Sequence, residues 1–426
     1  MAHIIFIDSN ESGIAAIACA KAMGHQVTFV KSRDYAFFQD TPETRAVLND
    51  VDFIIEVPVT SDQELVYTAL APHVELYPAD VGISQCDGAI ETSAVVFERL
   101  GIPFTPSTGV KLARHKDLSR QALADAGLAN AQFRLVNSIE DALKAADEIG
   151  YPVVVKPPSG LDSIQVSVAN DPIMLAQAAQ SVLDAGKSKP RQLREIFERG
   201  VLVEEVLRGK IVSVEIGLRN QRAFHFMCSG RFNTDIDECI PMGVTMPEKL
   251  ADDERERCFE YAENVCRALG LTLGVFHIEL MITPHRGPIL IEANARLMGG
   301  VMPSVYKKIT GEKIEAWMIN IFLGVNLDKP LPIPNSVAMV RRVIARKESN
   351  IQENFNISDI DNIVQDSIHN VVNYNMYADV RVKEHELLGR FITIADSHEK
   401  AFELAELNLN IIEHKLGIEL VHTAIP

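Results

Sequence analysis

Two neighbouring segments, Phe276-His277-Ile278-Glu279-Leu280-Met281 and Ile289-Leu290-Ile291-Glu292-Ala293-Asn294-Ala295-Arg296, carry the most informative pattern in the chain. Apolar and polar residues alternate in both halves, the two-residue period of half-buried strands. His277 and Glu279 therefore project to one face of the first strand, and Glu292, Asn294 and Arg296 to one face of the second. The linking turn, Pro284-His285-Arg286-Gly287, is short enough for an antiparallel pair, so Glu279 and Glu292 converge. Two carboxylates and an amide oxygen form a hard-oxygen set suited to Mg²⁺, which also takes phosphate oxygens. Arg296 adds a fixed cation suited to phosphate or carboxylate. Charges on one strand face also fit the wet side of an antiparallel sheet, so this pattern needs support from elsewhere in the chain.

Two upstream segments supply it. Val153-Val154-Val155 reads as a buried strand ending in Lys156, followed by Pro157-Pro158-Ser159-Gly160-Leu161-Asp162-Ser163. A lysine closing a buried strand calls for an anion, because an unpaired buried charge is costly. The Ser and Gly residues after it can present N–H and hydroxyl groups to phosphate oxygens. A surface hairpin with a solvated lysine is the plainer alternative. Farther on, the apolar strand from Val201 ends in Glu204-Glu205 and resumes as Val206-Leu207-Arg208-Gly209. Edge charges would explain it; so would a hinge that recognises an adenine.

The first hundred residues alternate strand and helix. His3 to Ile7, Gln26 to Val30 and Asp52 to Val57 read as strands, with Glu75–Leu76 expected to begin a fourth; Ala15 to Met23 and Glu91 to Leu100 read as helices. That order predicts a parallel sheet covered on both faces. The glycine fingerprint of a dinucleotide site is missing: Asp8-Ser9-Asn10-Glu11-Ser12-Gly13 follows the first strand. Helices are expected near His115–Ala126, Ile139–Ile149 and Asp252–Leu269, and strands at Val212–Leu218 and Ala223–Cys228. Three prolines between Lys329 and Pro334 mark a boundary before a last unit, with strands at Ala338–Ala345 and Arg390–Ala395 and a helix over Glu399–Leu416.

At 426 residues the chain exceeds one ordinary core, and two to four domains are expected. Its formal net charge of -17 argues against wrapping nucleic acid, which requires Lys and Arg to neutralise phosphates. None of the six cysteines forms a C-x-x-C pair, so a zinc site or redox dithiol is disfavoured and buried thiols in a reducing, cytoplasmic setting are expected. No apolar run approaches the length needed to span a bilayer, so no membrane partner is expected.

The order Lys116, Lys156 with its Ser/Gly loop, Glu204-Glu205-Val206-Leu207, Glu279, then Glu292-x-Asn294-x-Arg296 resembles the ATP-grasp superfamily over about residues 105 to 320. Glu292-Ala293-Asn294-Ala295-Arg296-Leu297-Met298-Gly299-Gly300 is similar in particular to the L-amino acid ligases that make bacilysin- and dapdiamide-type dipeptide antibiotics. The fold class this implies is α/β and α+β. It has a Rossmann-like pre-ATP-grasp domain at 1–109, a small lobe with the phosphate loop at 110–200, a large lobe with the Mg²⁺ site at 201–328, and an α+β domain at 329–426.

The resemblance also implies roles. Lys116 and Lys156 would hold the ATP phosphates, and Ser159, Gly160 and Ser163 would belong to a mobile loop over them. Glu204, Glu205 and the backbone of Val206 and Leu207 would take the adenine. Glu279, Glu292 and Asn294 would ligate Mg²⁺, two ions with Mn²⁺ as a substitute; Arg296 and Lys156 would be catalytic; Arg296, Gly299 and Gly300 would line the substrate. The pattern departs from the family at Lys210-Ile211, where many members carry an acid that holds the ribose, and Glu215 is the nearest replacement. His225, His277, Arg231 and Met298 are candidate neighbours of the substrate, with a purely structural role as the alternative for each. The implied activity joins a carboxylate to an amine through an acyl phosphate, releasing ADP and phosphate, in a homodimer. Its rivals are a purine-pathway ligase, a biotin-carboxylase-like subunit, and a non-catalytic ATP-binding regulator.

Overall fold

The computed structural model describes residues 1–159, 165–185, 197–233, 241–355, 370–373 and 376–422. The first sheet is parallel, in the order Phe53–Val57, Gln26–Ser32, His3–Ile7, Val81–Ile83. Every residue of His3–Ile7 is buried, as expected of a central strand covered on both faces. Glu75 and Leu76 do not begin the fourth strand; they close the helix Gln63–Leu76. Asp62 caps that helix by accepting from the Glu64 and Leu65 amides, so the chain runs helically through the segment and leaves Leu76 75% exposed.

The strand order reverses direction between His3–Ile7 and Val81–Ile83, which brings the loops at 8–10 and 84–87 side by side. Asn10 Nδ2 donates to the Gln85 carbonyl at 2.7 Å, and Ser84 Oγ donates to the Ile7 carbonyl at 2.9 Å. Such a crossover opens a crevice at the carboxyl ends of the strands.

A second, antiparallel sheet runs Phe133–Val136, Val201–Glu205, Val153–Lys156, Ser167–Ala169, with helices Ile139–Ile149 and Pro172–Ala185 packed on it. The third sheet runs Gly287–Asn294, Leu273–Thr283, Lys210–Arg219, Arg222–Asn233, Pro241–Met246, Val337–Ile344, Leu387–Ala395, Asn370–Asn373. The expected hairpin is its edge. Strands on both sides of the proline-marked boundary belong to this one sheet, joined where Gly243–Met246 pairs with Ala338–Arg341.

Helix Ile314–Leu323 is apolar nearly all round and lies in the main core with Phe6, Ile17, Phe104 and Phe226. Its last carbonyls need partners, and Arg219 supplies them, donating to Ile321 and Phe322 at 2.8 Å each. This helix carries the N-terminal sheet onto one face of the large sheet; helix Asp252–Leu269 covers the other. Among the described residues no helix is long and apolar enough to cross a membrane.

Candidate active site

The site begins with strand register. Glu279 pairs with Glu292 and His277 with Asn294, while on the inner side His277 pairs with Glu215 and Glu279 with Ser213. Facing residues of neighbouring strands point to the same side, so these groups make one polar patch. A bulge after Glu279 sets Leu280 opposite Leu290 and leaves Ile291 unpaired. The Ile291 carbonyl is thereby free to accept from Arg120 Nη2 at 3.0 Å.

Each acid of the patch has a cation. Glu279 accepts from Arg231 Nη2 at 2.8 Å and lies 3.3 Å from His277 Nε2. His277 Nδ1 hydrogen-bonds Glu215, whose other oxygen accepts the Met298 amide at 3.1 Å. Burial works against protonation of His277, but Glu215 and Glu279 push its pKa up to about 9. Burial would likewise raise the Glu279 carboxyl, yet Arg231 and His277 hold it well below the usual range. Glu292 accepts from Lys116 Nζ at 2.7 Å.

Lys116 opens the helix Lys116–Asp125, and its amide donates to the Pro158 carbonyl at 2.8 Å. That bond ties the helix start to the segment leaving Lys156. The Lys156 Nζ sits 2.5 Å from Glu204 Oε2, and Arg120 Nε donates to Glu204 Oε1 at 2.9 Å. All three are buried. Burial pushes the Lys156 ammonium down, with Glu204 opposing. Glu204 shows the reverse balance: burial raises it, but Arg120 and Lys156 bring it to about 2.

Several expected positions are placed differently. Glu204 commits both carboxylate oxygens to Arg120 and Lys156, so its side chain faces the lysine and not a base. Glu205 accepts from the Gln132 amide at 2.9 Å and Arg286 Nη2 at 3.0 Å. Val206 and Leu207 follow as half-buried chain outside any strand. Glu215 is fully buried between His277 and the Met298 amide, which removes it from any ribose. Arg296 lies beyond the strand, which ends at Asn294, and turns toward the N-terminal sheet. There it donates Nε to Asp87 Oδ1 at 2.7 Å and Nη2 to Asp87 Oδ2 at 2.6 Å. His225 stacks on Phe259 and pairs with Glu263, on the helix-covered face away from the patch.

Ser159 hydrogen-bonds His115 Nδ1 at 2.6 Å, and His115 Nε2 lies 3.3 Å from Glu91. Gly160 and Ser163 lie outside the described residues, as does Cys239; the other five cysteines are buried and free. Gly299 and Gly300 follow Arg296 in the same turn, Gly300 with φ +59°. Arg120 and Asp87 were missed from sequence. Arg120 carried a signal, because it stands four residues after Lys116 on one helix face.

The donor set suits Mg²⁺. Glu279 and Glu292 face each other, and the Asn294 carboxamide and the second oxygen of Glu292 make no hydrogen bond among the described residues. All the donors are hard oxygens. Among the described residues no cluster of three or more His, Cys, Asp or Glu gathers as a metal site, so two carboxylates and one amide are what the protein offers.

Residues 149–304 match the family model of the ATP-grasp domain. The carbamoyl phosphate synthase large chain of Thermotoga neapolitana is 26% identical over 347 residues, covering 76% of this chain. This chain spans only 28% of that relative's length. The alanine–anticapsin ligase of Bacillus subtilis is 24% identical over 317 residues, covering 67% of this chain and 66% of the relative. Among solved structures, an L-amino acid ligase from Bacillus licheniformis superposes with a TM-score of 0.76 at 18% identity, covering 100% of this chain and 99% of the other.

Proposed function

We propose that this chain, whose residues 149–304 match the ATP-grasp domain and whose fold is that of an L-amino acid ligase, is an ATP-dependent carboxylate–amine ligase. Its substrates in this reading are two small molecules: an amino acid or related carboxylate, and an amine. The observation that carries it is the Lys116–Glu292 ion pair, which sets a lysine at a helix start, tied through the Pro158 carbonyl to the segment after Lys156, against the paired carboxylates of the large sheet.

A carboxylate is a poor electrophile, because oxide would have to leave. In the proposed first step a substrate carboxylate oxygen attacks the γ-phosphorus of ATP. The bond from that phosphorus to the β,γ-bridging oxygen breaks, giving an acyl phosphate and ADP. Lys116 and Lys156 hold phosphate oxygens, and the Val206–Leu207 backbone takes the base. Arg296 meets the charge on the phosphoryl group in flight. Glu279, Glu292 and Asn294 are the residues that would hold Mg²⁺, which when bound neutralises phosphate charge. In the second step the amine nitrogen attacks the acyl carbon, phosphate leaves with the C–O bond electrons, and the amine loses a proton. Residues 110–200 and 201–328 act as the two lobes, with 1–109 and 329–426 flanking them.

The test is a phosphate-release screen over all pairs of amino acids with Mg²⁺ and ATP, with mass detection of products and bicarbonate as a separate arm. The reading requires at least one pair to release phosphate and form a product equal to the two masses less water. Release with bicarbonate alone would favour a carboxylase-type reaction. ATP binding without release in any arm would favour a regulator.

A further inference from the structure

Arg296 is the cation assigned to the moving phosphoryl group, yet it sits past the end of its strand on a long, flexible side chain. What fixes it comes from the N-terminal sheet. Asp87 grips Nε and Nη2 in a bidentate fork, and Nη1 donates to the Leu297 carbonyl at 3.1 Å. Two residues before Asp87, Gln85 Oε1 accepts the Leu297 amide at 3.1 Å. Consecutive residues 296 and 297 are therefore clamped by Asp87 and Gln85 of one loop.

That loop is itself pinned. Asn10 Nδ2 donates to the Gln85 carbonyl, and the Gln85 amide group reaches Met318 Sδ at 3.1 Å. A Cβ at Gly88 would lie 2.7 Å from the Phe37 ring, so the backbone beside Asp87 is packed against an aromatic. Burial alone would raise the Asp87 carboxyl; Arg296 first, with Arg114 and His277, holds it low and charged. The fork leaves the remaining N–H groups of Arg296 for an incoming ligand.

Building on the ligase reading, we propose that Asp87 is a positioning residue, contributed by the N-terminal domain, that orients the Arg296 guanidinium for the transferred phosphoryl group. Because Asp87 balances its charge, Arg296 acts through direction more than through net charge. Supporting partners of this kind hold a reacting group within its productive geometry.

The experiment compares Asp87→Asn, Asp87→Glu and wild type by two readouts. The first is the Nε–H resonance of Arg296, identified by its loss in Arg296→Lys. It should be sharp and exchange-protected in wild type, broadened or exchanging in Asp87→Asn, and recovered in Asp87→Glu. The second is turnover with the substrate pair found by the screen. There Asp87→Asn should lower kcat about 100-fold with the KM for ATP within about threefold, as expected of a misplaced catalytic group. Unchanged Arg296 signals in Asp87→Asn would overturn the proposal, and so would wild-type kcat in that variant. If wild type turns over no substrate, the ligase reading fails, and the resonance alone decides whether Asp87 orders Arg296.

Discussion

Glu279 and Glu292 stand directly opposite each other on adjacent antiparallel strands, and each is held by a cation from a different element. Like charges at that spacing repel. Arg231 and His277 compensate the first, and Lys116 the second. Arg231 comes from strand Arg222–Asn233, and Lys116 from the helix that follows Arg114. The acidic pair is thus sustained by cations that converge on it from separate parts of the fold. Sites with this kind of concentrated charge sacrifice stability for chemistry.

Replacing one of the two acids separates those terms. Glu292→Gln keeps an acceptor for Lys116 and removes the repulsion. Its thermal stability should stay within about 1 kcal/mol of wild type, while ATP-dependent phosphate release falls at least about 100-fold. Differential scanning calorimetry and a coupled phosphate assay on the same sample check both halves. Full turnover in this variant removes Glu292 from the metal site.

Arg120 is buried, with Glu204 and the Ile291 carbonyl as its partners. Arg120→Met leaves Glu204 with one cation fewer and the Ile291 carbonyl with no donor. Breaking one side of a buried ion network costs about 3 to 5 kcal/mol. Urea unfolding should show that loss, and a cost under about 1 kcal/mol would mean that Arg120 is dispensable to the network.

The Glu204 carboxyl supplies a pH dependence. Its value falls from an ordinary 4.5 to about 2 on folding. A depressed folded value gives stability that is present above 4.5 and lost as pH falls toward about 2. The amount is on the order of 3 kcal/mol. Wild type and Glu204→Gln should therefore differ by a constant margin from pH 7 to pH 5, and the margin should narrow below that. Urea melts at half-unit steps measure it; a margin flat down to pH 3 contradicts it.

Gly209 has φ +148°, and a Cβ there would lie 2.0 Å from the Ile282 carbonyl oxygen. Gly209→Ala should cost about 2 kcal/mol or more, since both the backbone region and the space are denied to it. Gly24 offers the comparison: φ is +79° there, with nothing within 4 Å of the added carbon. Gly24→Ala should cost less, roughly 1 kcal/mol from conformation alone. Equal thermal shifts in the two variants would deny the close approach at the hinge.

Much of this was legible in the chain. The Glu279/Glu292 hairpin followed from alternation and a short turn, and the structure has it in that register. Helix Ile139–Ile149 was legible from its Ser138 cap and closing Gly150, and Asp252–Leu269 from its apolar period and the left-handed Gly270 that ends it. Helix Ile314–Leu323 was not legible, because a segment apolar nearly all round has little period to read. Helix Ser107–Arg114 was hidden by the prolines before it. Partners brought by tertiary contact were also invisible. Nothing in sequence pairs Asp87 with Arg296, 209 residues apart, or commits Glu204 to Arg120 and Lys156. The expectation of Glu215 at a ribose failed for a related reason: alternation places it on the polar face, but its neighbours His277 and Met298 seal it there.

In the proposed reaction a substrate carboxylate attacks the γ-phosphate of ATP. The amino acid identified by the screen, labelled with ¹⁸O in its carboxylate and followed by mass spectrometry, tests that step directly. Carboxylate attack puts one ¹⁸O in each phosphate released, with one equivalent of ADP, and both are lost in Glu292→Gln. Phosphate carrying only solvent oxygen, or label appearing in AMP, would contradict it.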